Sequence, residues 1–297
     1  MKMKNVLVAG GGTLGSQIAY QSAYFGKQVT VYDVSDAAIT AAEKKIDGWD
    51  ASYRTDMHAT DDQINAAHAN LTFSTDLAEA VNGKDIVIEA VPENLDIKKS
   101  FYKELSAVAA PETIFASNSS TMTTSELNGF TDRPDKFLNL HFANQIWVQN
   151  TAEIMVSDKT DPDVEKAVVA FAREIGMVPI VMQKEQHGYV LNALLGPFTN
   201  AALALWGNGV ADPQTIDKTW MIATGAPRGA FAIMDEIGLP SLHTILSNGR
   251  TDDVPDGFDA GLDKIQQMVD EGYKGQENGK GFYNYPNPAY ESKDFLK

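Results

Sequence analysis

The run Asn5-Val6-Leu7-Val8-Ala9 enters Gly10-Gly11-Gly12-Thr13-Leu14-Gly15 and then a helical pattern. A G-x-G-x-x-G turn between a strand and a helix confines the start of the chain to a dinucleotide-binding βα unit. The chain turns tightly at Gly10, backbone can approach a pyrophosphate at Gly12, and strand and helix pack closely at Gly15. Thr13 and Leu14 complete the turn, and the helix N-terminus supplies N–H groups for an anion. A second strand, Gln28-Val29-Thr30-Val31-Tyr32, ends in Asp33 at the offset of a ribose-binding acid. Its carboxylate can accept from a 2′-hydroxyl and would repel a 2′-phosphate. Val34, Ser35 and Asp36 bring no arginine to hold one, so NAD is expected rather than NADP. A cap on the next helix is the competing role for Asp33.

At 297 residues the chain is about twice a typical domain, which suggests two. A net charge of −16 argues against nucleic acid and anionic membrane surfaces. The absence of cysteine removes disulfides, thiolate nucleophiles and Cys-based metal sites, which is compatible with a cytoplasmic protein. Met1-Lys2-Met3-Lys4 is followed by an apolar stretch too short for a signal peptide. The apolar run Val190 to Trp206 is interrupted by Asn192, Gly196, Pro197 and Asn200, so no membrane span is expected.

Strands and helices alternate over about the first 180 residues. A helix is expected from Asp36 to Arg54, then a polar stretch, with further strands at Asp85–Glu89, Thr113–Ser117, Phe137–Phe142, Ala152–Val156 and Met177–Met182. Asn94 can cap a helix over Leu95–Ala110, and Asp161-Pro162 starts another ending near Ile175. Beyond Gln186 only helices are suggested, at Gly188–Trp206, Pro213–Thr224, Gly229–Ile237 and Phe258–Glu271, with a loop over Asn248–Asp259. The expected architecture is α/β: a Rossmann-type doubly wound, mainly parallel sheet domain over 1–187, then a smaller all-α domain over 188–297 for substrate and dimer contacts.

A nucleotide domain joined to a helical one suggests a dehydrogenase, which needs a group to exchange a proton with the substrate oxygen. Of the five histidines, His58 and His68 fall in the polar stretch, which is expected to be exposed, His187 at the domain boundary and His243 on a late helix. His141 instead follows Phe137-Leu138-Asn139-Leu140, at the carboxyl end of a strand, where open α/β sheets bind ligands. His141 and Glu153 are equidistant from Trp147, so antiparallel pairing about that centre makes them cross-strand neighbours. The carboxylate would fix the ring's tautomer and stabilise imidazolium. On spacing alone, a catalytic pair and a buried structural pair stay equally open. No His/Asp/Glu cluster has metal-ligand spacing, so no metal is expected.

The chain resembles the L-3-hydroxyacyl-CoA dehydrogenases and their relatives acting on small hydroxy acids, nearly end to end. The marks are Gly10–Gly15 with Asp33; Glu89-Ala90-Val91-Pro92-Glu93-Asn94 followed by Lys98; Ser117-Asn118-Ser119-Ser120; His141-Phe142-Ala143-Asn144; Glu153; Gly188-Tyr189-Val190-Leu191-Asn192; and Gly279-Lys280-Gly281-Phe282-Tyr283. The resemblance implies a catalytic His141–Glu153 pair, with Ser120 and Asn192 contacting the substrate oxygen. It also implies that Glu93, Lys98 and Asn144 line the cofactor site, and that the protein is a homodimer. The implied reaction interconverts an L-3-hydroxyacyl-CoA, of short chain, with the 3-oxoacyl-CoA. A serine hydroxyl and a carboxamide can both donate to a ketone oxygen. Without the resemblance, Ser120 reads as a helix cap and Asn192 as a satisfied buried amide.

The chain also departs from the family. Phe142-Ala143-Asn144-Gln145 stands where Phe-Phe-Asn-Pro is frequent, Asn200-Ala201-Ala202 where many relatives have an acid after the Asn, and Glu277 at an often basic position. Relatives that bind coenzyme A bring several lysines after the second strand. Between Ile46 and Gly83 this chain has one base, Arg54, among Asp47, Asp50, Asp56, Asp61, Asp62, Asp76 and Glu79, with Lys44 and Lys45 just before. A free hydroxy acid of the gulonate or carnitine type is therefore the alternative substrate, and a non-catalytic dinucleotide-binding protein the alternative class.

Overall fold

The computed structural model of the protein describes residues 3–250 and 253–297, and the chain divides into two units, Met1–Val190 and Leu191–Lys297. The first unit begins β1 (Asn5–Ala9), α1 (Thr13–Tyr24), β2 (Gln28–Tyr32), α2 (Asp36–Asp56), α3 (Asp61–Ala69), β3 (Leu71–Ser74), α4 (Leu77–Val81) and β4 (Ile86–Glu89). It continues with α5 (Leu95–Val108), β5 (Ile114–Ser117), α6 (Thr124–Leu127), β6 (Phe137–Phe142), β7 (Thr151–Met155), α7 (Pro162–Glu174) and β8 (Val178–Val181). The strands form one sheet in the order β3-β2-β1-β4-β5-β6-β7-β8.

Side-chain alternation explains why helices cover both faces of this sheet. Val6 and Val8 of β1 join Ile18 and Ala19 of α1 in one core, whereas Leu7 and Ala9 join Phe101, Tyr102 and Leu105 of α5 in another. The same parity holds at Ile86 and Ile88 against Val87 of β4. The order reverses between β1 and β4, and β4 is parallel to β1, which opens a crevice at the carboxyl ends of these strands. All neighbours are parallel except β6 and β7. The connection 143–150 is too short for a parallel crossover, which takes about a dozen residues or more, and so returns the chain antiparallel.

The expected sheet with its helices is present, and some local expectations change. The polar stretch after α2 contains α3, the edge strand β3 and α4. β3 pairs only with β2, is short and mostly half-buried, and so lacks the apolar run of the inner strands. α3 carries a capping box, with Thr60 accepting from Gln63 N–H and the Gln63 side chain accepting from Thr60 N–H, a signature readable in Thr60-x-x-Gln63. His68 lies here half-buried rather than exposed, with Nε2 2.9 Å from Asp50 Oδ1.

The second unit contains α8 (Leu191–Gly207), α9 (Pro213–Thr224), α10 (Ala230–Ile237), α11 (Leu239–Asn248) and α12 (Phe258–Asp270), with no strand among its described residues. α8 starts at Leu191 rather than Gly188 because Gly188 (φ 76°) and Tyr189 (φ 56°) lie in the left-handed region. α11 was not expected. It is separated from α10 by Gly238 (φ 88°) and opens with Pro240 in its first turn, where a missing N–H costs nothing. Of the expected loop over Asn248–Asp259, Thr251 and Asp252 lie outside the described residues, as do Met1 and Lys2. No helix among the described residues is long and apolar enough to cross a membrane.

Leu203, Phe231, Met234, Leu239, Phe258 and Ile265 centre the helical core. Two buried carboxylates tie it together. Asp217 accepts from Phe231 and Ala232 N–H (both 2.9 Å), capping α10 from a distance, and from the Tyr283 hydroxyl (3.0 Å). Asp235 accepts from Phe282 and Tyr283 N–H (both 2.9 Å) and the Tyr285 hydroxyl (3.1 Å). Such close approach requires glycine: a Cβ at Gly281 would stand 2.0 Å from Asp235 Oδ1, and one at Gly229 2.3 Å from Asp217 Cγ.

Candidate active site

The glycine turn is shaped by what surrounds each glycine. Gly10 has φ 102°, and a Cβ there would lie 2.4 Å from Ala90 O; at Gly15 it would lie 1.9 Å from Gly10 O. A Cβ at Gly12 would meet nothing within 4 Å, so this exposed position leaves open space beside the backbone. α1 begins at Thr13 with Gly12 as a cap that offers no side-chain acceptor, so its first N–H groups are suited to an anion. Thr13 is exposed and Leu14 half-buried.

Asp33 leaves the end of β2 and folds back on this turn. Its Oδ2 accepts from Gly11 N–H (2.9 Å) and its Oδ1 from Val34 N–H (2.8 Å), and an ionised carboxylate keeps further lone pairs for ribose hydroxyls. The turn and its acid thus fit NAD.

At the carboxyl end of β6, His141 pairs across the antiparallel ladder with Glu153 of β7. Leu140 and Ile154 enter the core below, which puts Asn139, His141 and Glu153 on the opposite face. His141 Nδ1 lies 3.0 Å from Glu153 Oε2, and Nε2 lies 3.1 Å from Ser120 Oγ. His141 and Glu153 are 4% and 2% exposed, while Ser120 is half-buried, so the chain of hydrogen bonds runs outward from the sheet. An ionised Glu153 can only accept, which assigns the proton to Nδ1 and leaves Nε2 for exchange with a ligand. Glu153 Oε1 also accepts from Val190 N–H at 2.9 Å.

Ser120 sits on a turn organised by Glu93. One oxygen of that carboxylate accepts from Ser119 Oγ, from Ser120 and Thr121 N–H (3.1 and 2.9 Å) and from Thr121 Oγ1 (2.7 Å). Burial would raise the Glu93 carboxyl, but the bonds from Ser119 and Thr121 and the Lys98 ammonium outweigh it and hold the group below its usual range. Lys98 itself is 1% exposed, with Nζ 2.6 Å from Glu89 Oε1 and 3.2 Å from Glu93 Oε2, so it reaches the surface only through Glu93. Glu89 is saturated by Lys98, Val91 N–H (3.0 Å), Tyr102 OH (2.9 Å) and Ser117 OH (2.7 Å).

Asn144 lies exposed on the 143–150 loop, near His141 in sequence. Gln145 beside it has φ 58°, which proline cannot adopt, so the departure from Phe-Phe-Asn-Pro gives this turn a different path. The loop is fixed instead by Gln17, whose Oε1 accepts from Gln145 N–H (2.8 Å), and by Trp147 Nε1 donating to Asp56 Oδ2 (2.7 Å). Asn192 belongs to the other unit, half-buried in the first turn of α8. Arg54, the lone base between Ile46 and Gly83, is held by Asp61 at 2.8 Å and Asp50 at 3.9 Å.

Sequence reasoning gave no role to Glu89 or Tyr189. Glu89 had a signal, a lone acid closing the apolar run Ile86-Val87-Ile88. Tyr189 stood only within the motif Gly188-Tyr189-Val190-Leu191-Asn192, and nothing local distinguishes it from the helix expected there.

Residues 5–186 match the family described as 3-hydroxyacyl-CoA dehydrogenase, NAD binding domain, and residues 188–285 match its C-terminal domain. The human mitochondrial hydroxyacyl-coenzyme A dehydrogenase is 30% identical over 288 residues, covering 95% of this chain and 91% of that one. A probable 3-hydroxybutyryl-CoA dehydrogenase of Bacillus subtilis (strain 168) is 30% identical over 292 residues, covering 96% and 98%. The solved structure of a diketoreductase, an enzyme of dicarbonyl compounds, is 47% identical with a TM-score of 0.90, covering 96% of this chain and 100% of that one. With both parts of the family matched in order around an NAD-binding turn, this chain belongs to the 3-hydroxyacyl-CoA dehydrogenase family.

Proposed function

We propose that the protein interconverts a short-chain L-3-hydroxyacyl-CoA and its 3-oxoacyl-CoA, with His141 as the proton-exchanging group. The observation that carries this reading is the hydrogen-bonded series Ser120–His141–Glu153 at the carboxyl end of β6. In the oxidising direction His141 Nε2 accepts the hydroxyl proton as hydride leaves the carbon; in the reducing direction it returns that proton to the new alkoxide. NAD supplies the acceptor or donor of the hydride. Glu153 keeps the Nδ1–H tautomer and stabilises the imidazolium, and Ser120 Oγ donates to the substrate oxygen as charge develops there. Gly10, Gly12, Thr13, Leu14, Gly15 and Asp33 hold the cofactor, with Glu93 and Asn144 lining its site and Lys98 acting through Glu93. The role of Asn192 as a substrate-contacting carboxamide rests on the family resemblance alone.

A second reading keeps this chemistry and removes the thioester: the substrate is a small compound with two carbonyls and no coenzyme A. The pairing of Arg54 with Asp61 and Asp50 favours it, because no other base between Ile46 and Gly83 is present to meet phosphates. NADH oxidation should be measured side by side with acetoacetyl-CoA, free acetoacetate, a simple diketone and sugar-derived and betaine keto acids. The first reading expects the highest kcat/KM with acetoacetyl-CoA. A diketone or free acid turned over far better would move the substrate to the second.

A further inference from the structure

Tyr189 immediately precedes the last residue of the first unit and stacks on His141, with ring centroids 4.3 Å apart and planes at 11°. It is 1% exposed and holds φ 56°, a backbone conformation costly for a bulky non-glycine residue. Its hydroxyl donates to Ser119 O (2.6 Å), on the turn that carries Ser120, and accepts from Asn139 Nδ2 (2.9 Å). The flanking residues hold the same parts: His187 Nδ1 lies 2.8 Å from Thr121 O, and Val190 N–H donates to Glu153.

We propose that Tyr189 is a positioning residue for His141, its ring face fixing the plane of the imidazole, with the bonds at its hydroxyl serving only to seat that ring. The need for such a face follows from geometry. Bonds at Nδ1 and Nε2 define a line within the imidazole but leave the ring free to rock about it, and rocking carries Nε2–H out of line with a substrate oxygen. A parallel ring at van der Waals distance blocks that motion. The strained backbone at Tyr189 and the start of α8 only at Leu191 are what place the ring there rather than on a helix surface.

The inference rests on the proton-transfer role of His141, and the test separates the two. Y189F keeps the face and loses the hydroxyl; Y189L keeps bulk and loses the face. For the full-length protein, Y189L should lower kcat about 30-fold or more, as small misplacements of reacting groups do. KM and NADH affinity should stay within about twofold, and Y189F should recover most of the loss. The His141 Nδ1–H proton resonance, read in the presence of NADH, should remain sharp in wild type and Y189F and broaden in Y189L. If Y189L does not bind NADH, Y189M serves as the variant without a face. The proposal is overturned if Y189L keeps both a wild-type kcat and a sharp resonance, or if Y189F loses as much as Y189L. Undiminished turnover in H141Q would overturn the role of His141 instead, and the proton resonance would still decide that of Tyr189.

Discussion

Each unit buries carboxylates, but with different partners. In the first, Glu153 and Glu89 meet His141 and Lys98, and the networks continue through Ser120 and Glu93 to the surface. In the second, Asp217 and Asp235 accept from backbone N–H groups and tyrosine hydroxyls. Burial pushes both of these carboxyls up, Asp235 to about 6, although their hydrogen-bond donors pull the other way. A perturbed carboxyl is therefore a poor marker of function here. The distinguishing feature of the first unit is a basic side chain able to exchange a proton, joined to a half-exposed hydroxyl, whereas the second uses its carboxylates to join α10 and the 282–285 segment to the helical core.

The largest effect should fall on His141. H141Q should lower kcat by about 10²–10⁴-fold, the usual contribution of a general acid–base group, with NADH affinity nearly unchanged. E153Q should lose less turnover and move the proton-linked limb of the pH–rate profile to lower pH, since an anion beside the imidazolium is removed. An unchanged profile in E153Q would make Glu153 structural and bring it level with Asp217.

The second unit should break by unfolding. D235A leaves two backbone N–H groups and a tyrosine hydroxyl without their acceptor, and each unsatisfied buried donor costs about 1–3 kcal/mol. A loss of about 3 kcal/mol or more in urea denaturation is expected. The pH dependence has a defined sign. A carboxyl raised from 3.8 to about 6 in the folded state adds stability that is fully present below pH 3.8 and is lost as pH rises through about 6. The Asp235 contribution to the helical unit should therefore decline between about pH 4 and pH 6, read by hydrogen exchange at Phe282 and Tyr283. Protection that stays level across this window would show that the three donors outweigh burial and that Asp235 is ionised throughout.

The sequence disclosed these regions unequally. The βα turn was legible because Gly10 and Gly15 are imposed by backbone contacts that admit no Cβ, and the β6–β7 register because His141 and Glu153 flank a short return centred on Trp147. The edge strand β3 was hidden because only Leu71 and Phe73 of its four residues are apolar and none of the four is fully buried, and α11 because Gly238 and Pro240 read as a break although proline suits a first turn. The carboxylate ties of the second unit were illegible for a different reason. They are long-range bonds to backbone N–H, which leave no residue pattern beyond Gly229 and Gly281, and Gly281 stood out only as part of a family motif. Tyr189 shows the same limit within the site, since its place is set by φ 56° and a contact with a residue far away in sequence.

The smallest expected effect bears on what the first unit recognises. Arg54 is exposed and held by Asp61 and Asp50, an arrangement in which surface ion pairs contribute little. To meet a phosphate of coenzyme A it must exchange carboxylates for phosphate among neighbours that stay acidic, so most of the attraction is offset. R54A should therefore raise KM for acetoacetyl-CoA by only about two- to threefold with kcat unchanged, the mark of binding energy equal in ground and transition states. For a diketone without phosphates it should change neither constant. A tenfold rise in KM would mean that Arg54 leaves its carboxylates for the ligand and that the thioester is bound there despite the acidic surroundings. No rise at all, together with faster reduction of the diketone, would mean that the proton-transfer set survives in this chain while its nucleotide-facing surface serves no coenzyme A phosphate. That outcome would be consistent with the acid-rich stretch from Ile46 to Gly83 and would separate the chemistry of His141 from the choice of substrate.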